Sequence, residues 1–163
     1  MKYLLFYIIS LLSLTACIRE DLPAGSFALE KGDLLPEFSI SNPDGTVSNK
    51  DLENKFALII FFSTTCSDCR EAFPNISTLY NMYKDNPSVR ILLIARNETE
   101  EQVTAYFREH QYDMKFFADP DLNVYSLFAE STIPRVFLAD KSGTIILTQT
   151  EKVDAEEIMK ITT

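Results

Sequence analysis

The run Ala57-Leu58-Ile59-Ile60-Phe61-Phe62 constrains the fold more than any other stretch of the chain. Consecutive apolar residues, rich in β-branched and aromatic types and bounded by polar ones, suit a strand buried on both faces. Such a strand needs a packed layer on each side. The flanking sequence offers them. Ser63-Thr64-Thr65 leads into a helical period from Cys66 to Tyr83, with Phe73, Ile76, Leu79, Tyr80 and Tyr83 on one side and Pro74 inside, where a kink is expected. Val89 to Ala95 repeats the buried-strand pattern. Thr99-x-x-Gln102 has capping-box spacing ahead of Val103, Tyr106 and Phe107. Lys115 to Phe117 reads as a short strand, Leu122 to Phe128 as a short helix and Ala155 to Ile161 as a closing helix. Arg135 to Ala139 and Thr144 to Leu147 flank the hairpin turn Asp140-Lys141-Ser142-Gly143. Upstream, Asn42-Pro43-Asp44-Gly45 marks a hairpin between residues 38 and 48, and Lys50 to Asn54 is long enough for one helical turn. Strands alternating with helices predict one three-layer α/β domain over residues 34–163, with a mixed central sheet flanked by helices.

Composition removes several function classes. Fifteen Lys and Arg against 24 Asp and Glu give a net charge of −9, the wrong sign for a surface that follows a phosphate backbone, so no nucleic-acid partner is expected. The four glycines are too scattered for a G-x-G-x-x-G turn or a P-loop. A single histidine, His110, argues against multi-His metal sites and His-based triads, and no metal site is expected.

Cys66-Ser67-Asp68-Cys69 carries the evident chemistry, because it falls where the buried strand turns into the helix. A cysteine at the helix N-cap meets unpaired backbone N–H groups and the positive end of the helix dipole, and both favour thiolate over thiol. The spacing places Cys69 one turn on, within disulfide reach. Cys66 is then the attacking sulfur and Cys69 the resolving one. Asp68 opposes the helix terminus by like-charge repulsion, as a modulating residue, which points toward a reductant. A structural bridge over two residues removes little chain entropy, and a zinc half-site lacks further ligands. The redox-active Cys66–Cys69 pair is expected to work without a bound cofactor.

The N-terminus reads as an address. Lys2 precedes an apolar run from Tyr3 to Leu14, about 18 Å long as a helix and too short for a bilayer core of about 30 Å. Residues 1–16 suit a signal peptide. Leu14-Thr15-Ala16-Cys17 resembles the bacterial lipobox, which implies cleavage before Cys17 and acylation of Cys17, with residues 17–33 as a tether. Ile18 is not the Asp that commonly retains lipoproteins in an inner membrane, so the periplasmic face of the outer membrane is the expected location.

The chain resembles the thioredoxin superfamily, and within it the membrane-tethered TlpA/ResA-like thiol–disulfide oxidoreductases. The resemblance rests on the hairpin at Asn42-Pro43-Asp44-Gly45, the strand running into Cys66-x-x-Cys69, Phe73-Pro74, an added helix and strand region around Tyr112 to Phe128, and Ile133-Pro134 about 65 residues after Cys69. It implies a thioredoxin-like fold and a cis bond before Pro134, with Ile133 and Pro134 binding an extended substrate by strand addition. It also implies protein dithiol or disulfide substrates, a membrane electron donor, a role in cytochrome c maturation and a monomeric state. Three positions depart from the family pattern. Thr65 replaces the frequent Trp before the first cysteine. Ile60 replaces the buried acid of thioredoxins. Ala72 stands where many relatives carry Glu, with Glu71 one position earlier and rotated by about 100° on a helix. The acceptor for the Cys69 proton is therefore open among Asp68, Glu71 and water. Arg135 follows Pro134 and reads more readily as a solvated edge residue than as part of the site. His110 reads as an exposed cap, and Tyr80 and Tyr83 as core-edge aromatics.

Two other readings compete. A peroxiredoxin-like peroxidase needs P-x-x-x-T-x-x-C, but Ile59 and Ser63 occupy the Pro and Thr places. A non-catalytic binding or metal-chaperone module on the same fold would leave the cysteine pair without turnover.

Overall fold

The computed structural model describes residues 27–162. Signal peptide, lipobox and Cys17 lie outside the described residues. A hairpin, β1 (Ser39–Asn42) and β2 (Gly45–Ser48), opens the domain, followed by a 3-10 turn (Asn49–Leu52). Then come β3 (Phe56–Phe62), α1 (Ser67–Tyr83), β4 (Val89–Arg96), α2 (Glu100–Glu109), β5 (Phe117–Asp119), α3 (Tyr125–Phe128), β6 (Arg135–Ala139), β7 (Ile145–Thr150) and α4 (Ala155–Thr162). The expected order holds, with β7 longer and α3 shorter than the sequence pattern suggests. The expected strand at Lys115 to Phe117 is shifted to Phe117–Asp119, because pairing with β4 runs from Ile94 to Arg96.

The central sheet has the order β5-β4-β3-β6-β7. Strands β3, β4 and β5 run parallel, while β6 and β7 are antiparallel additions. Strand β3 is the middle strand, and Leu58 to Phe62 are fully buried. Its two faces serve two cores, as a strand period of two requires. Leu58, Ile60 and Phe62 pack under α1, α2 and α4, against Phe73, Ile76, Phe107 and Ile158. Ala57, Ile59 and Phe61 pack under the hairpin, the 3-10 turn and α3, against Ile40, Leu52, Tyr125 and Phe128. Phe61 makes edge contacts with Tyr125 and Phe137, and burying its ring contributes about 1.5–3 kcal/mol.

Local choices fit this plan. Thr99 accepts the Gln102 amide and Gln102 reciprocates, so the capping box is formed. Helix α1 runs through Pro74 to Tyr83. Tyr80 and Tyr83 are buried at the core edge, and the Tyr80 hydroxyl accepts the Lys115 amide at 2.9 Å.

One expected boundary is corrected. Residues 27–33, placed in the tether by their mixed composition, are bound to the domain. The Leu29 N–H donates to the Phe128 carbonyl, Gly32 to Ile145, and Ala28 bridges Ala129. Backbone pairing, which a composition pattern does not display, draws this stretch into the fold. Among the described residues no helix is long and apolar enough to cross a membrane.

Candidate active site

The parallel strands β3 and β4 end at the same edge of the sheet, and the antiparallel β6 begins there. The dithiol sits at that edge. Cys66 has extended backbone and occupies the N-cap of α1, and its Sγ accepts the Cys69 amide at 3.4 Å. The helix terminus thus directs a donor and its dipole at this sulfur. Cys66 is half-buried, whereas Cys69 is fully buried, and both thiols are free. The Cys69 Sγ accepts the Ser63 amide at 3.4 Å. Burial pushes the Cys69 thiol well above its ordinary range, and Cys66 and Asp68 add to the effect. Asp68 is exposed, and its carboxylate is the smallest of the contributions that raise Cys69. Glu71 is exposed on α1 while Ala72 is buried, as the one-residue rotation requires.

The opposite wall is the loop before β6. The Ile133–Pro134 peptide bond is cis, and the Ile133 carbonyl oxygen lies 3.6 Å from the Cys66 Sγ. Pro134 is buried and Ile133 half-buried. Two residues separated by 67 positions are thereby brought together as the sequence resemblance implies. Thr132 precedes them at φ +72°, a left-handed conformation rare for a β-branched residue. The Tyr125 hydroxyl secures it, sharing its proton between the carbonyls of Ser131 at 2.6 Å and Thr132 at 3.0 Å.

Sequence reasoning missed three contributors. Glu98 is 4% exposed, and its carboxylate accepts both the Thr64 amide at 2.8 Å and the Thr64 hydroxyl. It thereby holds the loop that leads from β3 to Cys66. Its signal was its place just after a buried strand parallel to the one carrying the cysteines, the end at which open α/β sheets gather function. Tyr125 was hidden inside a short apolar helix. Arg96 ends β4 with its guanidinium 4.6 Å over the Tyr125 ring. Arg135, expected at the solvated edge, is half-buried and its Nε donates to the Thr132 carbonyl at 3.3 Å. His110 is exposed at the end of α2, as expected. An open cleft of about 660 Å³ lies against the loop that leads into Cys66, lined in part by Thr64, Thr65, Arg70, Glu98 and Tyr106. No cluster of three or more metal-ligating side chains lies among the described residues.

Comparison with known proteins decides the family. A family model for Redoxin matches residues 30–162. The chain belongs to the Redoxin family. It is 24% identical to the thiol-disulfide oxidoreductase ResA of Bacillus subtilis over 124 residues, 76% of this chain and 69% of that one. It is 29% identical to ResA of Oceanobacillus iheyensis, over 70% of this chain and 62% of the relative. The thioredoxin domain of a thiol-disulfide oxidoreductase from Bacteroides vulgatus superposes with a TM-score of 0.70 at 22% identity, over 83% of this chain and 100% of that one. This Redoxin chain is thus a thioredoxin-superfamily protein of the ResA/TlpA-like type, and a thiol–disulfide oxidoreductase.

Proposed function

We propose that the protein reduces disulfides in other proteins through Cys66 and Cys69, outside the cytoplasm and held to a membrane by a lipid on Cys17. The Cys66 thiolate attacks one sulfur of a client disulfide, forming a mixed disulfide and releasing the client's other sulfur as a thiolate. Cys69 then gives up its proton to solvent or Asp68 and attacks Cys66. The client leaves with two thiols, and the protein keeps a Cys66–Cys69 disulfide. Two electrons and two protons pass to the client in each cycle. A membrane dithiol donor restores the pair by the reverse exchange. The chemistry runs through the two sulfurs alone.

The observation that carries this reading is the unequal burial of the pair. Cys66 is reachable and held by a helix terminus beside the Ile133 carbonyl, whereas Cys69 is fully covered. An exposed attacker and a shielded resolver are what sequential exchange needs. Asp68 supports the reducing direction, because negative charge beside the dithiol disfavours the thiolate form and so favours yielding electrons. The client reading is extended segments with paired cysteines, which the Ile133 backbone receives by strand addition. Apocytochrome c is the client that the family resemblance suggests. The lipid anchor and the outer-membrane, periplasm-facing location rest on the Leu14-Thr15-Ala16-Cys17 pattern.

Covalent trapping tests the reading. Cys69→Ala should accumulate client proteins joined through Cys66, and mass spectrometry would name them. Cys66→Ser should trap none and show no insulin-disulfide reduction. Turnover surviving in Cys66→Ser would overturn the assignment.

A further inference from the structure

The cis-Pro wall carries two positive charges that no role so far explains. Arg96 ends β4 and Arg135 begins β6, at the sheet edge that holds Cys66. Both side chains fall on the same face. Arg135 is the register partner of Phe61, whose ring packs with Tyr125 and Phe128. Arg96 follows Ala95, which belongs to the opposite core, and lies over the Tyr125 ring. The Tyr125 side chain thus has both guanidiniums near it, and both act on it electrostatically. Neither arginine makes an ion pair among the described residues. The buried carboxylates at this edge are committed elsewhere. Asp119, beside Arg96 in register, accepts the amides of Val124 and Tyr125, and Glu98 accepts the amide and hydroxyl of Thr64. The Arg96 Nε is buried without a hydrogen-bond partner. In a chain of net charge −9, two guanidiniums without an ion-pair partner among the described residues, both beside the tyrosine that holds the turn leading into Ile133, point to an incoming anion.

We propose that Arg96 and Arg135 form a subsite for an acidic side chain of the client, next to the cysteine that Cys66 attacks. The geometry follows from strand addition, and the inference rests on the client reading given above. A client strand laid along Ile133 turns its cysteine toward Cys66, on the α1 side of the sheet. A strand's side chains alternate, so the neighbouring residues point to the other side, where Arg96 and Arg135 stand. A carboxylate there meets a planar donor fork on a partly desolvated arginine. The protein therefore selects among cysteine-containing segments by the charge beside the cysteine.

The test uses reduced full-length protein and synthetic peptides with an oxidised Cys-x-x-Cys pair, differing only in Glu, Gln or Lys beside the cysteines. Exchange rates are followed by mass spectrometry. The Glu peptide should react about fivefold faster than the Gln peptide, the effect of one solvent-exposed charge contact near 4 Å. The Lys peptide should be slower than both. The preference should shrink as salt rises from about 0.01 to 0.15 M. The quantity read is the ratio of rates within each variant, so a general loss of activity or stability cancels. Arg135→Gln and Arg96→Gln should each bring the Glu-to-Gln ratio toward one, Arg135→Lys should retain it, and Arg135→Glu should turn the preference toward Lys. Equal rates for all three peptides, or a Glu preference that persists in both Gln variants, overturns the subsite while leaving the reductase reading intact. If no peptide is reduced, the reductase reading fails and the subsite with it.

Discussion

The two walls of the site are built in different ways. The dithiol wall is local: Cys66, Cys69 and the N–H groups that meet their sulfurs come from residues 63–69. The cis-Pro wall is assembled from three distant segments, with Arg96 from β4, Tyr125 from α3 and Thr132 to Arg135 before and in β6. Backbone donors hold the first, and side chains reaching carbonyls hold the second. This division separates two tasks. The chemistry of sulfur depends on the fixed helix terminus, whereas the fit of a client depends on a wall whose parts can vary one by one. Perturbing each wall should therefore move different observables.

The expected effect that grows furthest lies on the dithiol wall and concerns pH, because it accumulates with every unit above pH 9. Burial raises Cys69 above its ordinary value of 9.0 in the folded state, so the folded protein keeps this proton after the unfolded chain has lost it. That contribution to stability is fully present below pH 9 and is lost as pH rises above it. Unfolding free energy of the reduced protein should fall by up to about 1.4 kcal/mol per pH unit above pH 9 from this group. The oxidised protein has no such thiol, and Cys69→Ala lacks it too. Denaturant titrations of the three forms at pH 8, 9 and 10 compare the slopes. Equal slopes would mean that Cys69 is not the shielded member of the pair.

Glu98 ties the two descriptions together, because a side chain here holds the local wall. Glu98→Ala leaves the Thr64 amide and hydroxyl without their acceptor and should cost about 1–3 kcal/mol of stability, while Glu98→Gln, which keeps an acceptor, should cost less. The Ser63 amide that meets Cys69 lies next to Thr64, so the alanine variant should also make Cys69 easier to alkylate. A Glu98→Ala protein with native melting and native Cys69 reactivity would break the claim that Glu98 holds this wall.

The difference between the walls also explains what could be read from the chain alone. Buried strands are visible as continuous apolar runs, and the helix terminus is visible because strand, polar loop, cysteine and helical period follow one another. Cys66, Cys69 and the sheet therefore emerge from neighbouring residues. Pro134 needed a family resemblance, since a single X-Pro bond does not announce its isomer. Glu98, Tyr125 and Arg96 gain their roles only from tertiary contacts. Glu98 lies between the second buried strand and the capping box with no pattern of its own, Tyr125 lies within a short helical stretch, and Arg135 reads as a solvated edge residue. Residues 27–33 were misplaced for the same reason, because their partners Phe128 and Ile145 are about a hundred positions away.

The smallest expected effect is on the assembled wall. Tyr125→Phe keeps the buried ring and its contact with Phe61 but removes the proton shared by the Ser131 and Thr132 carbonyls. These carbonyls lie near the surface and can turn to water, so the stability loss should be about 1 kcal/mol. The functional consequence should be selective. Thr132 is held at a φ that its side chain disfavours, and without the tyrosine hydroxyl only the Arg135 Nε still holds its carbonyl, so it relaxes more readily and carries the Ile133 carbonyl away from Cys66. KM for a peptide disulfide should rise severalfold while alkylation of Cys66 by iodoacetamide, which needs no strand pairing, keeps its rate. Thr132→Gly removes the strain, so adding it to Tyr125→Phe should recover part of the KM. If iodoacetamide reactivity falls together with peptide affinity, the walls are one coupled unit, and chemistry and client fit cannot be tuned apart.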